Sequence, residues 1–449
     1  MLPKFAPMNT ELMLQKLHIS ELNAMQGEAY EAILRGRDDV VVLSPTGSGK
    51  TLAYLLPLTQ MLAADSDAVQ ALVIVPGREL ALQSCQVLQS MGSGLRAAAC
   101  YGGRAAMDEH RKLREVKPQI VFGTPGRLND HIDKGNINPY TIRYVVIDEF
   151  DKCLEMGFHD EMSRLLRKLP GLQRRVLLSA TDAEQIPSFV QLGHCVRLDY
   201  LMDEEQVPQR VTLYEVKSPA KDKLETLSRL LCQLGDTQSI VFLNYRDSVE
   251  RVDDFLRRQG FATSAFHGGM EQKQREDALY KFSNGSANVM VSTDLASRGL
   301  DIPDIENIIH YHLPLNEQEM VHRVGRTARW DRVGQTYFIV GLEEQMPAFV
   351  EGDVETYTLH PSPTNHHSIP VPRMATIYIG KGKKDKISRG DIVGFLCKKG
   401  GLEPQEIGRI DVADRYAYAA VSRPKLQQVL RQVKGEKIKG IRTVVEPVK

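Results

Sequence analysis

The chain lacks net charge. Its 57 lysines and arginines balance 57 aspartates and glutamates over 449 residues. Any charge-driven function must therefore come from uneven distribution. Cysteine is scarce: the six (Cys85, Cys100, Cys153, Cys195, Cys232, Cys397) are dispersed with no CxxC pair. That excludes a disulfide framework and a cysteine zinc motif, and points to buried thiols in a reducing compartment such as the cytoplasm. No apolar run approaches the roughly 18 residues a membrane span needs. The opening "MLPKFAPMNTELMLQKLH" has no basic-then-apolar leader pattern. A cytoplasmic location and no membrane partner are expected.

What is present is a globular composition, 42% hydrophobic and 25% charged, with length enough for two to four domains. The charge is lopsided. Residues 371–449 hold 18 lysines and arginines against 8 acids, so the remainder is acidic by the same margin. A basic tail that meets a polyanion is expected.

Short apolar runs recur at 40–43, 71–75, 120–123, 144–147 and 176–180 without inside/outside alternation. Parallel strands covered by helices on both faces look like this. The pattern restarts after about residue 210, at 239–244, 288–293, 307–313 and 336–340. One helical segment between them carries Leu224, Leu227, Leu231 and Leu234 on a single face. The expected organisation is an α/β domain over 1–203, a second over 210–352, a linker over 353–372 and a small α+β domain over 373–449. The last reads strand, helix, strand, strand, helix, strand (βαββαβ).

"SPTGSGKT", Ser44 to Thr51, sits between the run Val40–Leu43 and a helix. Glycines let such a loop curl its N–H groups around phosphate oxygens at a helix N-terminus. Ser44, Thr46, Gly47, Ser48, Gly49, Lys50 and Thr51 are the candidate nucleotide contacts. Lys50 would reach the β- and γ-phosphates and Thr51 would ligate Mg²⁺. "YVVIDEFD" (144–151) ends a buried-type run in acids, and a phosphate-loop ATPase needs a carboxylate at such a strand end. Asp148 is the candidate metal ligand and Glu149 the general base.

With these motifs the chain resembles the DEAD-box RNA helicases over roughly residues 15–345. "LNAMQ" supplies Gln26 as the adenine-sensing glutamine. "VPGRELALQ" (75–83), "GGR" (102–104), "TPGR" (124–127) and "SAT" (179–181) match in the first half; "VFLNYR" (241–246), "HGGMEQKQR" (267–275), "STDLASRGLD" (292–301) and "HRVGRTAR" (322–329) match in the second. The resemblance implies two tandem RecA-like domains, ATP and Mg²⁺ as cofactors, and backbone-reading RNA contacts from Arg78, Gly103, Thr124, Arg127, Arg275 and Thr293. It places Asp301 near the ribose and Arg323 at the nucleotide. Arg323, Arg326 and Arg329 stand three apart, as on one helical face. Arg326, with Arg329, would stabilise charge on the γ-phosphate, and such fingers contribute about 10³–10⁵ in rate.

The chain departs from the family pattern in places. Asn23-Ala24 replaces the usual Thr-Pro before the glutamine, Gly77 a usual Thr, and Ala328 a usual Gly. Phe150 replaces the usual Ala of the naming motif; its expected place is apolar packing behind the site, with Asp151 touching Ser179-Ala180-Thr181.

The tail resembles an RNA-recognition (RRM-like) fold, with "TIYIGKG" (376–382) as first strand and "RYAYAAV" (415–421) as third. Tyr416 and Tyr418 are candidate stacking residues. Lys381, Lys383, Lys384, Lys386 and Arg389 form a basic patch, with Lys383 and Lys384 the chief RNA candidates. Over 374–445 the segment is similar to the C-terminal domain of the bacterial DbpA group of these helicases. That implies 23S ribosomal RNA and pre-50S particles as partners of a monomeric helicase. An ATP-gated RNA clamp or general RNA chaperone, and a DNA-directed translocase, are the alternatives.

Overall fold

The computed structural model describes residues 10–45, 47–103, 106–182, 186–201, 211–297, 305–325, 327, 334–350, 352–360 and 369–448. Two compact units divide at about residue 208. The first is built on a seven-stranded, all-parallel sheet. Across it the strands run Ala97–Cys100, Ile120–Gly123, Ala71–Ile74, Tyr144–Ile147, Arg174–Ser179, Asp39–Leu43 and Cys195–Asp199. Successive side chains point to opposite faces, and here both faces are cores. Val40, Val42, Val73 and Val146 enter one buried cluster. Val41, Leu43, Leu72, Ile74, Val145 and Ile147 enter the other. The unbroken apolar runs follow directly. Cys195–Asp199 is a half-exposed edge strand, and Ala97–Cys100 has three alanines; neither carries the β-branched signal that marks the other strands.

The second unit repeats the plan. Its seven parallel strands lie in the order Thr263–Phe266, Val289–Ser292, Ser239–Phe242, Asn307–His310, Gly334–Val340, Val211–Lys217, Val354–Thr356. The helix Leu224–Leu234 buries Leu227 and Leu231 against it, as its spacing predicts. Val354–Thr356 pairs with Val211–Lys217, so the expected linker begins as part of this sheet rather than at 353.

The same unit contains the tail. Its antiparallel sheet runs Ile407–Val412, Ala417–Ser422, Met374–Ile379, Val445–Pro447, with helices Arg389–Lys398 and Leu426–Gln432. The βαββαβ order stands, with a short hairpin inserted before the last strand. Lys439 and Gly440 both have positive φ (53° and 81°) and form a two-residue turn, which right-twisted hairpins favour. Ile441–Arg442 therefore pairs back on Lys437–Ile438, and the sheet is completed by Val445–Pro447. All six cysteines are free; Cys85, Cys100 and Cys153 are buried as expected, whereas Cys195 is exposed.

Candidate nucleotide and RNA sites

In the first unit the strand Arg174–Ser179 lies between Asp39–Leu43 and Tyr144–Ile147, with Leu43 in register with Ser179 and Ile147 with Leu177. The phosphate loop, the acidic turn and the 179–181 segment thus emerge together at the carboxyl ends of three adjacent strands. Ligand sites of open parallel sheets form at such ends. Gly47 and Gly49 take φ of 90° and 86°, a left-handed conformation that costs glycine nothing. Lys50 begins the helix Lys50–Met61 and donates to the carbonyls of Ser44 and Pro45, the latter at 2.8 Å. Thr46 lies outside the described residues.

Gln26 is seated against this loop. Asn23 caps the helix Ala24–Arg35: its Oδ1 accepts from Gln26 N–H (2.8 Å) and Gln26 Oε1 accepts from Asn23 N–H (3.0 Å). Asn23 Nδ2 also donates to Ser48 O (2.9 Å), and Gln26 Nε2 to Gly49 O (3.3 Å). The Asn-Ala departure therefore retains a capping residue, one that ties the glutamine to the phosphate loop. A Cβ at Gly49 would stand 2.2 Å from Gln26 Nε2, so a larger residue here would displace the glutamine as well as strain the backbone at φ 86°.

Asp148 is 3% exposed. Burial pushes its carboxyl up to about 6, opposed chiefly by the nearby charge of Lys50. The buried Tyr54 hydroxyl lies beside both Asp148 and Thr51, so the two candidate metal ligands share one neighbourhood. A desolvated carboxylate beside a hydroxyl suits a hard divalent cation, and this donor set fits Mg²⁺. Glu149 has φ of 51°, unusual without glycine and a mark of functional turns. Its N–H donates to Asp148 Oδ1 (3.0 Å). Phe150, 2% exposed, joins the cluster containing Ile147, Cys153, Met162 and Leu177. Asp151 Oδ2 accepts from Thr181 Oγ1 (3.0 Å). Both placements match the sequence reading, and the packing role of Phe150 explains why a ring is accommodated between two acids.

The first-unit RNA candidates also converge. Gly103 has φ of 89°, and a Cβ there would stand 2.6 Å from Arg78 Nη1. Thr124 caps the helix Pro125–Asp133, on which Arg127 pairs with Glu109 (2.7 Å) and reaches toward Asp130 (3.7 Å). Glu109 itself was not singled out from sequence; an acid in a helix of mixed charge gives no signal.

In the second unit two candidate arginines, Arg323 and Arg275, are buried. The helix Glu317–Val324 carries Arg323 in its last turn and ends at the C-cap Gly325. Arg323 is fully buried. Its Nε donates to Asp294 (2.6 Å), Nη2 to Asn244 (2.9 Å) and Asp294 (3.1 Å), and Nη1 to His312 O (3.0 Å). Its donors are engaged inside the domain, where it holds the 292–297 and 242–244 turns together. Arg275, 2% exposed, donates to Gln272 (3.2 Å) from within the helix Gln272–Ser283 and does not open onto the surface. Thr293 is half-buried at the end of Val289–Ser292. Arg326, Arg329 and Asp301 lie outside the described residues.

In the tail, Lys383 and Lys384 are exposed. Their N–H groups donate to Ala413 O (2.9 Å) and Asp414 O (2.8 Å), so the basic turn is fixed to the sheet. The tyrosine face is differently employed. Tyr416 donates to Glu276 (2.5 Å), Tyr418 to Asp277, and the Tyr418 and Tyr280 rings lie 4.3 Å apart. Lys273 stands 4.9 Å over Tyr378, Thr376 donates to Ser286 (2.9 Å), and Arg423 to Ser286 O (2.6 Å). In this structure the helix Gln272–Ser283 covers the face on which stacking was expected. Tyr416 and Tyr418 serve as protein contacts, and the lysine turn is the exposed candidate.

Comparison with known proteins agrees with this geometry. Residues 23–188 match the DEAD/DEAH box helicase family, 222–331 the helicase conserved C-terminal domain, and 376–447 the DbpA RNA binding domain. The ATP-dependent RNA helicase DbpA of Escherichia coli (strain K12) is 35% identical over 95% of this chain and 94% of its own. This chain belongs to the DEAD/DEAH-box helicases. The DbpA of Bacillus subtilis (strain 168) is 29% identical, covering 95% of both chains. Among solved structures, S. cerevisiae Dbp5 bound to RNA and ADP BeF3 has a TM-score of 0.69 at 22% identity, over 79% of this chain and 94% of that one. Mss116p bound to ssRNA and AMP-PNP gives 0.70 at 24%, over 79% and 77%. The family makes the protein an ATP-dependent RNA helicase. Among the described residues no helix is long and apolar enough to cross a membrane.

Proposed function

We propose that this helicase acts on large-subunit ribosomal RNA, the 23S species in pre-50S particles, as a monomer in the cytoplasm, with Mg²⁺ and ATP. The observation that carries the target is the tail: residues 376–447 match the DbpA RNA binding domain and expose a fixed lysine turn at 383–384. Lys50 and the loop amides would bind the phosphates. Asp148 and Thr51 would hold Mg²⁺, which when bound neutralises charge building on the β- and γ-phosphates. Glu149 would take the proton of the attacking water, and Arg326 and Arg329 would stabilise the γ-phosphate charge. Arg78, Gly103, Thr124, Arg127 and Thr293 would contact RNA backbone without reading sequence, leaving target choice to the tail. ATP then switches RNA affinity by favouring one state of the two-domain core.

The test compares ATPase stimulation by large-subunit ribosomal RNA and by unrelated RNA, with and without residues 371–449. The full chain should prefer ribosomal RNA, and the truncated chain should lose that preference while still responding to any RNA at high concentration. Reversing charge at Lys383 and Lys384 should weaken tail binding and flatten its salt dependence. Equal stimulation of the full chain by both RNAs would remove the ribosomal target.

A further inference from the structure

We infer that Glu109 is a positioning residue for RNA binding: it locks Arg127 to the Gly102–Gly103 turn so that two separate RNA-contact segments present one surface. The inference rests on the reading of Arg127 as an RNA contact. Glu109 is 4% exposed, and three donors converge on its carboxylate. Oε1 accepts from the Tyr101 N–H (3.0 Å), immediately before Gly102. Oε2 accepts from Arg127 Nε (2.7 Å) and lies 2.9 Å from His131 Nε2. Arg127 and His131 both sit on the helix Pro125–Asp133, which Thr124 caps. A single side chain thus joins the turn after one strand to the helix after its neighbour. These strands, Ala97–Cys100 and Ile120–Gly123, are adjacent in the sheet.

The chemistry favours this role over a simple surface pair. Binding through Nε fixes the guanidinium plane, and Nη1 of the same group stands 3.7 Å from Asp130. Both partners are largely sequestered, Arg127 at 15% and Glu109 at 5% side-chain exposure, where solvent screening is weak. Glu109 is held ionised: although burial acts against it, hydrogen bonds from His131 and Tyr101 and the charge of Arg127 lower its carboxyl. A metal role fits poorly. Cys100, Glu109 and His131 could bring ligand atoms within 4.8 Å of one another. However, burial holds the Cys100 thiol protonated, and both carboxylate oxygens of Glu109 already accept hydrogen bonds.

The test is a double-mutant cycle on the full chain, reading the RNA concentration for half-maximal ATPase stimulation and the turnover at saturating RNA. Arg127→Ala should raise half-saturation about tenfold by losing a phosphate contact. Glu109→Ala should raise it by a similar factor, with saturated turnover held within about threefold. In the Arg127→Ala background Glu109→Ala should add almost nothing, because it acts through Arg127. Glu109→Gln, which keeps an acceptor, should recover much of the loss. Glu109→Asp, with a smaller cavity, supplies the same cycle if the alanine variant does not fold. Additive effects, or a fall in saturated turnover matching the rise in half-saturation, would overturn the inference. So would an unchanged half-saturation in the Glu109 variants beside a raised one in Arg127→Ala, and that outcome would leave the RNA-contact reading standing. No effect of Arg127→Ala would overturn both.

Discussion

Replacing Asp148 by Asn should stabilise the nucleotide-free, Mg²⁺-free protein at neutral pH. The carboxyl is 3% exposed, and burial raises it from 3.8 to about 6. A folded-state value above the unfolded one means that the native state binds the proton more tightly. Stability is then highest below about pH 4, where both states are protonated, and falls as the pH rises through about 6. A rise of that size corresponds to about 3 kcal/mol of stability lost at high pH. Asn keeps the shape and can still accept from the Glu149 N–H, but carries no charge to desolvate. For a domain of this size about 3 kcal/mol is worth roughly 6–12 °C in Tm. The assay is thermal unfolding of both proteins in chelator at pH 8 and pH 5. The Asn variant should melt higher at pH 8, with the gap narrowed by about half at pH 5, and Mg²⁺ with ATP should stabilise the wild type more than the variant. A variant less stable than wild type at pH 8, with no pH-dependent gap, would refute the reasoning and show that Lys50 more than offsets the buried charge.

Phe150→Ala removes a ring buried to 2% and should cost about 3–5 kcal/mol; turnover per folded molecule should stay within a few-fold, since the ring lies in the core and the Asp151–Thr181 bond remains. A hundredfold change in well-folded protein would show that the ring tunes the site. Arg323→Ala should cost about 3 kcal/mol by removing the fully buried guanidinium that joins Asp294, Asn244 and His312 O, measured by denaturant unfolding. ATP affinity of a first-domain fragment lacking position 323 cannot depend on it, so full-length Arg323→Ala that stays stable but loses ATP affinity would show the nucleotide role.

The parts of the fold visible in sequence were those whose physics is local. Val40–Leu43 and Tyr144–Ile147 are buried on both faces, so their composition alone marks them as central parallel strands. The phosphate loop and the 148–151 turn were readable because phosphate and metal binding demand glycines and acids at fixed distances from a strand end, and ordinary turns do not. What was not readable depended on partners far away in the chain. Arg323 sits in a motif that implies a ligand, yet Asp294 and Asn244, 29 and 79 residues away, take up its donors. Tyr416 and Tyr418 have strand spacing that suits base stacking, but their hydroxyls meet Glu276 and Asp277 about 140 residues earlier. Neither pairing leaves a periodic trace. The capping function of Asn23 was local, but the Thr-Pro comparison drew attention to what was missing instead of to the Asn side chain that replaced it.

The central claim is that hydrolysis at the Asp148–Glu149 turn drives the action on RNA. The most direct measurement is RNA-stimulated ATP turnover of Glu149→Gln, alongside its affinity for ATP and for RNA. Because the phosphate and metal ligands remain while the base is lost, binding of both should persist and turnover should disappear into background. Unchanged RNA-stimulated turnover would contradict the account.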